Sequence, residues 1–229
     1  MKKLLVIILG FFLVAGCTKD DKDNIIKPTM NIGSQTWTTK NLDVTTYSDG
    51  TPIPLVTDPT AWANLTTGAW CYYNNDATLG ATYGKLYNWY AVAGIWNEAS
   101  KTDASQRKNL AATGFHVPSD TEWATLIDYL GGQEFAGGKM KEIGTTHWES
   151  PNLGATNSSG FTALPQLGYR YSGGEFQNNG PVEAAWWSSS ELDPLVDGVH
   201  LFVVSSYNEI CKIVNDNRGF GYYVRCIKD

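Results

Sequence analysis

The sequence predicts a mixed α+β fold, and three observations carry that prediction. Apolar residues make up 42% of the 229-residue chain and charged residues 17%, enough to build a substantial core. A capped stretch with helical period begins at Ser119. Runs of β-branched and aromatic residues, separated by turn-forming ones, fill the C-terminal end from His200 to Ile227.

At the N-terminus, Lys2 and Lys3 precede an apolar run from Leu4 to Val14, and Ala15-Gly16 stand directly before Cys17. A charged head, an apolar middle and small residues at the end mark an export signal over residues 1–16. The run is shorter than the roughly 20 residues that span a bilayer as a helix. The pattern resembles the bacterial lipobox, which implies cleavage before Cys17 and lipid on its sulfur. Several acyl chains, at roughly 0.8 kcal/mol per buried methylene, anchor a protein stably. Residues 17–30 then read as a tether: Thr18-Lys19-Asp20-Asp21-Lys22-Asp23 is a solvated charge run, and Pro28 closes the segment. The run also resembles the acidic export signal of Bacteroidetes surface lipoproteins, which implies the outer face of the outer membrane.

The folded part is expected over residues 31–229, without a second linker or an internal repeat. Ile32 to Thr38 alternates apolar and polar residues, and Tyr47-Ser48-Asp49-Gly50 centres a turn on Asp-Gly, which together read as a short N-terminal hairpin. Residues 58–65 and 86–95 read as short helices, the second apolar almost all round and therefore buried. Residues 96–110 carry charges without period and read as a surface loop.

The stretch His116-Val117-Pro118-Ser119-Asp120-Thr121-Glu122-Trp123 concentrates titratable groups, yet nearly all of them have a local structural role. Ser119 and Glu122 form a capping box, Pro118 keeps the approach extended, and Asp120 suits the positive end of the helix dipole. Trp123, Leu126, Ile127 and Leu130 recur on one helical face, and Gly131 stops it. His116 alone has no such role. Toward the C-terminus, residues 200–204, 210–214 and 222–227 read as an antiparallel meander, with Asn215 to Gly219 as its last turn.

Net charge is −6 and no basic stripe follows the signal, so nucleic acid is excluded as a partner. Cys71, Cys211 and Cys226 remain after export; an oxidising compartment permits one disulfide, in any of three pairings. They form no CxxC, and His116, His147 and His200 are scattered, so neither a metal nor another cofactor is expected. No histidine lies near a nucleophile elbow, and no catalytic residue is assigned.

Several phrases, in order, resemble the Fibrobacter succinogenes major paralogous domain. They include Ile32-Gly33-x-Gln35-x-Trp37, Trp70-Cys71-Tyr72-Tyr73, Tyr83-Gly84-Lys85-Leu86-Tyr87-Asn88-Trp89, Gly114-Phe115-His116-Val117-Pro118, Gly168-Tyr169-Arg170, Trp186-Trp187-Ser188-Ser189 and Val224-Arg225-Cys226-Ile227. A more distant likeness joins His116-Val117-Pro118-Ser119-x-x-Glu122-Trp123 to the Arg-Leu-Pro-Thr-x-x-Glu-Trp phrase of formylglycine-generating enzymes. That likeness implies a C-type-lectin-like single domain with short helices, a small antiparallel sheet and long loops. The paired cysteines of those enzymes and the calcium-binding phrases of lectins are both missing.

Nine tryptophans and twelve tyrosines exceed what strands alone demand. Trp148, Tyr169, Tyr171, Trp186, Trp187 and Tyr207 lie in or beside Gly-, Ser- and Asn-rich loops. Flat rings beside amides and hydroxyls suit sugars or protein loops, so these six are the candidate ligand contacts. In the Trp186-Trp187 pair one ring is expected inward and the other outward. The expected function is a surface-anchored recognition module for glycan or a surface protein, with the alternatives of an exported enzyme or a structural envelope lipoprotein.

Overall fold

A computed structural model describes residues 28–192 and 198–229. The signal segment, Cys17 and most of the tether lie outside the described residues. Among the described residues, no helix is long and apolar enough to cross a membrane.

The chain opens with β1 (Thr29–Ile32) and β2 (Gln35–Thr38), paired antiparallel from Thr29↔Thr38 to Ile32↔Gln35. The hairpin closes at Gly33-Ser34, where Gly33 adopts φ 61°, a value that suits glycine in a tight hairpin loop. It therefore closes earlier than expected. The Asp-Gly turn at Tyr47 to Gly50 exists, with Gly50 N–H donating to Tyr47 O at 2.9 Å, but its flanks meet only in one bridge, Thr46↔Pro52.

Next come α1 (Pro59–Ala63), β3 (Trp70–Cys71), α2 (Ala77–Tyr83), β4 (Leu86–Asn88) and α3 (Trp89–Val92). Helix α1 lies within the expected 58–65, and Asp58 caps it, accepting from Ala61 N–H at 2.7 Å. The expected helix over 86–95 is instead a strand running into one helical turn. Leu86 to Asn88 are buried between strand neighbours, and a run apolar on every side reads alike in either state. Asn88 makes the break: its side chain accepts from Ala91 N–H at 3.0 Å and caps α3. Within the expected loop, α4 (Glu98–Thr102) forms on an Asn97/Ser100 capping box.

After β5 (Phe115–His116), helix α5 (Asp120–Tyr129) has the Ser119/Glu122 capping box in place and buries Trp123, Leu126 and Ile127. Helix α6 (Gln133–Met140) has no sequence-level signature, because its buried face includes Gly137 and Gly138. Glycine lowers helix propensity, yet here it permits contact: a Cβ on Gly137 would stand 2.5 Å from Ile210 O.

The remaining strands are β6 (Gln166–Arg170), β7 (Phe176–Glu191), β8 (Val199–Ser205), β9 (Cys211–Asp216), β10 (Gly221–Tyr222) and β11 (Ile227–Lys228). The larger sheet has the order β3-β4-β10-β6-β7-β8-β9, the smaller β1-β2-β11-β5. The C-terminal meander is corrected accordingly. β8 and β9 pair as expected, but the last run leaves them: β10 inserts between β4 and β6, and β11 enters the small sheet.

Both faces of the large sheet are covered. Ala184, Trp186, Phe202 and Val204 join Trp123, Leu126 and Met140 in one apolar cluster. Ala185, Trp187, Leu201 and Val203 join Tyr87, Trp89 and Tyr222 in another. A strand buried on both faces needs apolar residues without alternation, which is why the sequence reads Ala-Ala-Trp-Trp opposite Leu-Phe-Val-Val. Trp186 and Trp187 do point to opposite faces, but both are buried.

The cysteine expectation is overturned. Cys71, Cys211 and Cys226 are all free and buried. Cys71 lies on β3 and Cys211 on β9, the two edges of the seven-stranded sheet. Six strand spacings, roughly 29 Å along the sheet, separate them, against the Cα separation of about 7 Å at most that a disulfide allows. Cys226 packs in the other apolar cluster.

Four buried cations tie the long segments to this core. Lys141 Nζ donates to the carbonyls of Leu153, Ser205 and Asn208 at 2.7–2.8 Å. Arg170 lies over the Trp62 ring at 4.4 Å and donates to Val56 O, Thr57 O and Gly174 O. Arg225 donates to Thr38 O, Phe161 O, Thr162 O and Asn41 Oδ1. Lys85 pairs with Asp43 under Trp70. Loop carbonyls inside a protein need donors, and long cationic side chains supply several each.

Candidate functional site

The aromatic candidates separate cleanly by burial. Trp148, Trp186 and Trp187 are at most 1% exposed, so they are core residues and the expectation that they meet a ligand is withdrawn. Each indole N–H is satisfied internally, by Ala163 O, Asn41 Oδ1 and Tyr87 O respectively, all at 2.8 Å. Tyr207 is 55% exposed but stands apart, beside Glu149 with 3.5 Å between the oxygens. Tyr169 and Tyr171 are brought together.

They sit at one end of the large sheet. Gly168 lets β6 approach β7, since a Cβ there would lie 1.9 Å from Gln177 O. The pairing of β6 with β7 is irregular between Gln166 and Gly168; in a regular strand residues 166 and 169 would face opposite sides. The irregularity puts both on the wall of one shallow cavity of about 140 Å³. Ala185, Leu201, Val203 and Val214 form its floor, while Asn179, Glu183 and Lys212 supply polar groups.

An aromatic wall borders this cavity. Tyr169 stacks on Tyr222 with centroids 4.9 Å apart and on Phe220 at 5.8 Å. Tyr171 meets both Tyr169 and Phe220 edge-on at 5.2 Å. Tyr222, held from below by the edge of Trp187 at 5.1 Å, donates its hydroxyl to Asp216 Oδ2 at 2.8 Å. Burial holds the Asp216 carboxyl above its usual range, against the lowering effect of that hydrogen bond. Lys212 Nζ and Glu183 Oε1 approach to 3.4 Å, a loose pair. Gln166 Oε1, in a residue only 2% exposed, has no hydrogen-bond partner. That oxygen is itself closed off from solvent, so it is an unsatisfied acceptor under the cavity wall and not a contact open to a ligand.

A family model described as the Fibrobacter succinogenes major domain matches residues 30–228. The chain belongs to that family. No curated protein and no solved structure matches the chain. Within this Fibrobacter succinogenes major domain, the family-like phrases map onto packing: Gly168-Tyr169-Arg170 supplies the close approach, the wall and one cation, and Val224-Arg225-Cys226 supplies another cation.

Sequence reasoning missed Gln166, Glu183, Lys212, Asp216, Phe220 and Tyr222. The signal for two of them was present, because Phe220 and Tyr222 are spaced two apart in a strand-like run and so share a face. The others become neighbours only through the order of the strands.

All three histidines are held by carboxylates. His116 Nε2 lies 2.6 Å from Glu122 Oε1 and Nδ1 lies 2.7 Å from Asp229 Oδ1. Burial alone would lower the imidazole's pKa, but the hydrogen bonds to Asp229 and Glu122 outweigh it and hold the value above 6.5. His116 thus has a structural role after all, clamping the cap of α5 to the C-terminal residue. His200 Nδ1 pairs with Asp120 Oδ2 at 2.7 Å and His147 Nδ1 with Glu142 Oε2 at 2.8 Å. Among the described residues no group of three or more His, Cys, Asp or Glu is arranged to hold a metal.

Proposed function

We propose that this chain is a lipoprotein anchored in the outer membrane through lipid on Cys17 and exposed at the cell surface. Its folded part acts as a non-catalytic recognition module that binds glycan through the face built by Tyr169, Tyr171, Phe220 and Tyr222. We read the scaffold as C-type-lectin-like, on the capped His-Val-Pro-Ser-x-x-Glu-Trp phrase and the long loops pinned to a sheet.

The observation that carries this reading is the aromatic wall beside the polar side chains of Asn179, Glu183 and Lys212. Rings that are already packed against one another lose little entropy on meeting a sugar face, and the adjacent polar groups can select hydroxyls. The thiols support the non-catalytic part. Burial pushes Cys71 up to about 11 and both Cys211 and Cys226 up to about 12, which disfavours the thiolate needed for nucleophilic or copper chemistry.

Glycan arrays probed with the full chain test the reading, beside Tyr171→Ala and Phe220→Ala. The expected result is retention of a restricted set of glycans, weakened about tenfold or more by either change. An array without hits, or hits indifferent to both changes, overturns it. Trp186 is unsuitable for this purpose because its removal opens the core. Radiolabelled palmitate incorporation, lost in Cys17→Ala, tests the anchor.

A further inference from the structure

A second cleft lies elsewhere on the molecule, with a volume of about 230 Å³ and no lining residue in common with the aromatic face. Lys40, Asn41, Thr82, Glu142, His147 and Arg225 are among the residues around it. We propose that this cleft binds a monosaccharide that carries a carboxylate, a sugar acid, and that it does so independently of the aromatic face.

The charge balance points to an anion. Arg225 is 1% exposed and among the described residues has no carboxylate partner. A guanidinium has five N–H groups; Arg225 uses Nε, both on Nη1 and one on Nη2. One Nη2 donor is left over on a side chain that lines the cleft. Lys40 adds an exposed ammonium at the same opening. The one carboxylate present, Glu142, is committed to His147, whose Nδ1 lies 2.8 and 3.0 Å from its two oxygens. The uncommitted charge is positive.

The remaining groups ask for hydroxyls. With Nδ1 directed at Glu142, His147 leaves its Nε2 without a partner among the described residues. Edge-on contact with Tyr83 at 6.2 Å between ring centroids fixes the ring's plane. Thr82 supplies an exposed hydroxyl. An inorganic anion would satisfy Arg225 and Lys40 alone, whereas a sugar acid adds ring hydroxyls, which can both donate and accept, for His147 Nε2 and the Thr82 hydroxyl. The volume is below the roughly 300–1,000 Å³ of sites for drug-sized ligands, which limits the occupant to about one ring.

One wall is also rigidly set. Thr162, a β-branched residue at φ 54°, lines the cleft. Its conformation is held by Asn157, which accepts from its N–H at 2.9 Å, and by Arg225, which donates to its carbonyl at 3.0 Å. Unfavourable backbone held from two sides is a mark of a preorganised wall.

Isothermal titration of the full chain with glucuronate, glucose and inorganic phosphate provides the test. The expected result is saturable glucuronate binding, with glucose and phosphate each weaker by about tenfold or more. Lys40→Ala should weaken glucuronate about fivefold, as loss of one charge-assisted contact does. Thr82→Trp, at an exposed position, should block the cleft and abolish binding in a chain that still melts cooperatively. Tyr171→Ala should leave glucuronate binding unchanged, so failure of the aromatic-face reading and failure of this one are separable. Absence of saturable glucuronate binding, equal binding of glucose or phosphate, or binding indifferent to Thr82→Trp overturns the proposal.

Discussion

Replacing Lys141 by methionine should be among the most damaging single changes in the domain. The side chain is buried and its ammonium is the shared donor for three carbonyls, Leu153 O, Ser205 O and Asn208 O, at 2.7–2.8 Å. These belong to three segments: the loop after α6, the end of β8 and the β8–β9 connection. Methionine fills similar volume without a donor, so three buried acceptors lose their partner at about 1–3 kcal/mol each. Contact of the ammonium with the Trp148 ring at 5.9 Å is lost as well. Against this, the variant no longer carries a buried charge; that burial pushes the Lys141 pKa down to about 8. Three unsatisfied acceptors outweigh the relief of one desolvated charge, for a net loss of about 3 kcal/mol. Urea unfolding followed by tryptophan fluorescence should show a lower midpoint at unchanged slope. Lys141→Gln, which retains two N–H donors, should fall between. A methionine variant within about 1 kcal/mol of the parent would refute the view that the lysine is the donor on which these loops depend.

The His116 clamp makes stability pH-dependent in a defined window. The folded imidazole titrates above 6.5, so its contribution is complete below that value and is lost as pH rises through the raised folded value. For Glu122, burial alone would raise the carboxyl, but hydrogen bonds from Ser119 and His116 outweigh it and hold it below 4.5; its contribution is therefore present above 4.5 and lost as pH falls through the lowered value. The stability difference between the parent and His116→Gln should thus be greatest between about pH 4.5 and 6.5, and a difference independent of pH from 5 to 9 would rule the clamp out. For the thiols, a disulfide-free core predicts that dithiothreitol leaves the melting temperature unchanged and that Cys71, Cys211 and Cys226 react with a thiol reagent only after unfolding. A melting temperature lowered by reductant contradicts the free-thiol core.

What was legible in the sequence follows from the range of the forces involved. The cap at Ser119 was readable because capping box, dipole and helical period all act within one or two turns. The strand that precedes Asn88 was not, since its pairing with strands that lie elsewhere in the sequence decides it. Helix α6 escaped for a similar reason: Gly137 is dictated by the backbone of the β8–β9 connection and Gly138 by Gly154 O in the loop after α6. Of the site, Tyr169 and Tyr171 were visible as aromatic residues among small polar ones. Trp148, Trp186 and Trp187 met the same criterion and proved to be core: composition cannot distinguish a strand with one open face from one covered on both, as for Trp186 and Trp187, nor a surface loop from one whose tryptophan is folded inward, as for Trp148.

The buried cations explain how a chain with so much irregular backbone keeps a fixed shape without a disulfide. Arg170, Arg225 and Lys141 together supply hydrogen bonds to nine carbonyl groups, and none of these three has a carboxylate in contact among the described residues. Buried charges of this kind are costly unless they are hydrogen-bonded. In Arg170 and Lys141 they are directed at loop carbonyls, which would themselves be unsatisfied otherwise. Each cation therefore makes sense only together with the loops it holds, and the loops only with the cation. Arg225 differs in its position: its side chain lines an open cleft, and that placement, more than its count of hydrogen bonds, separates a residue that only supports the fold from one that can also recognise a ligand.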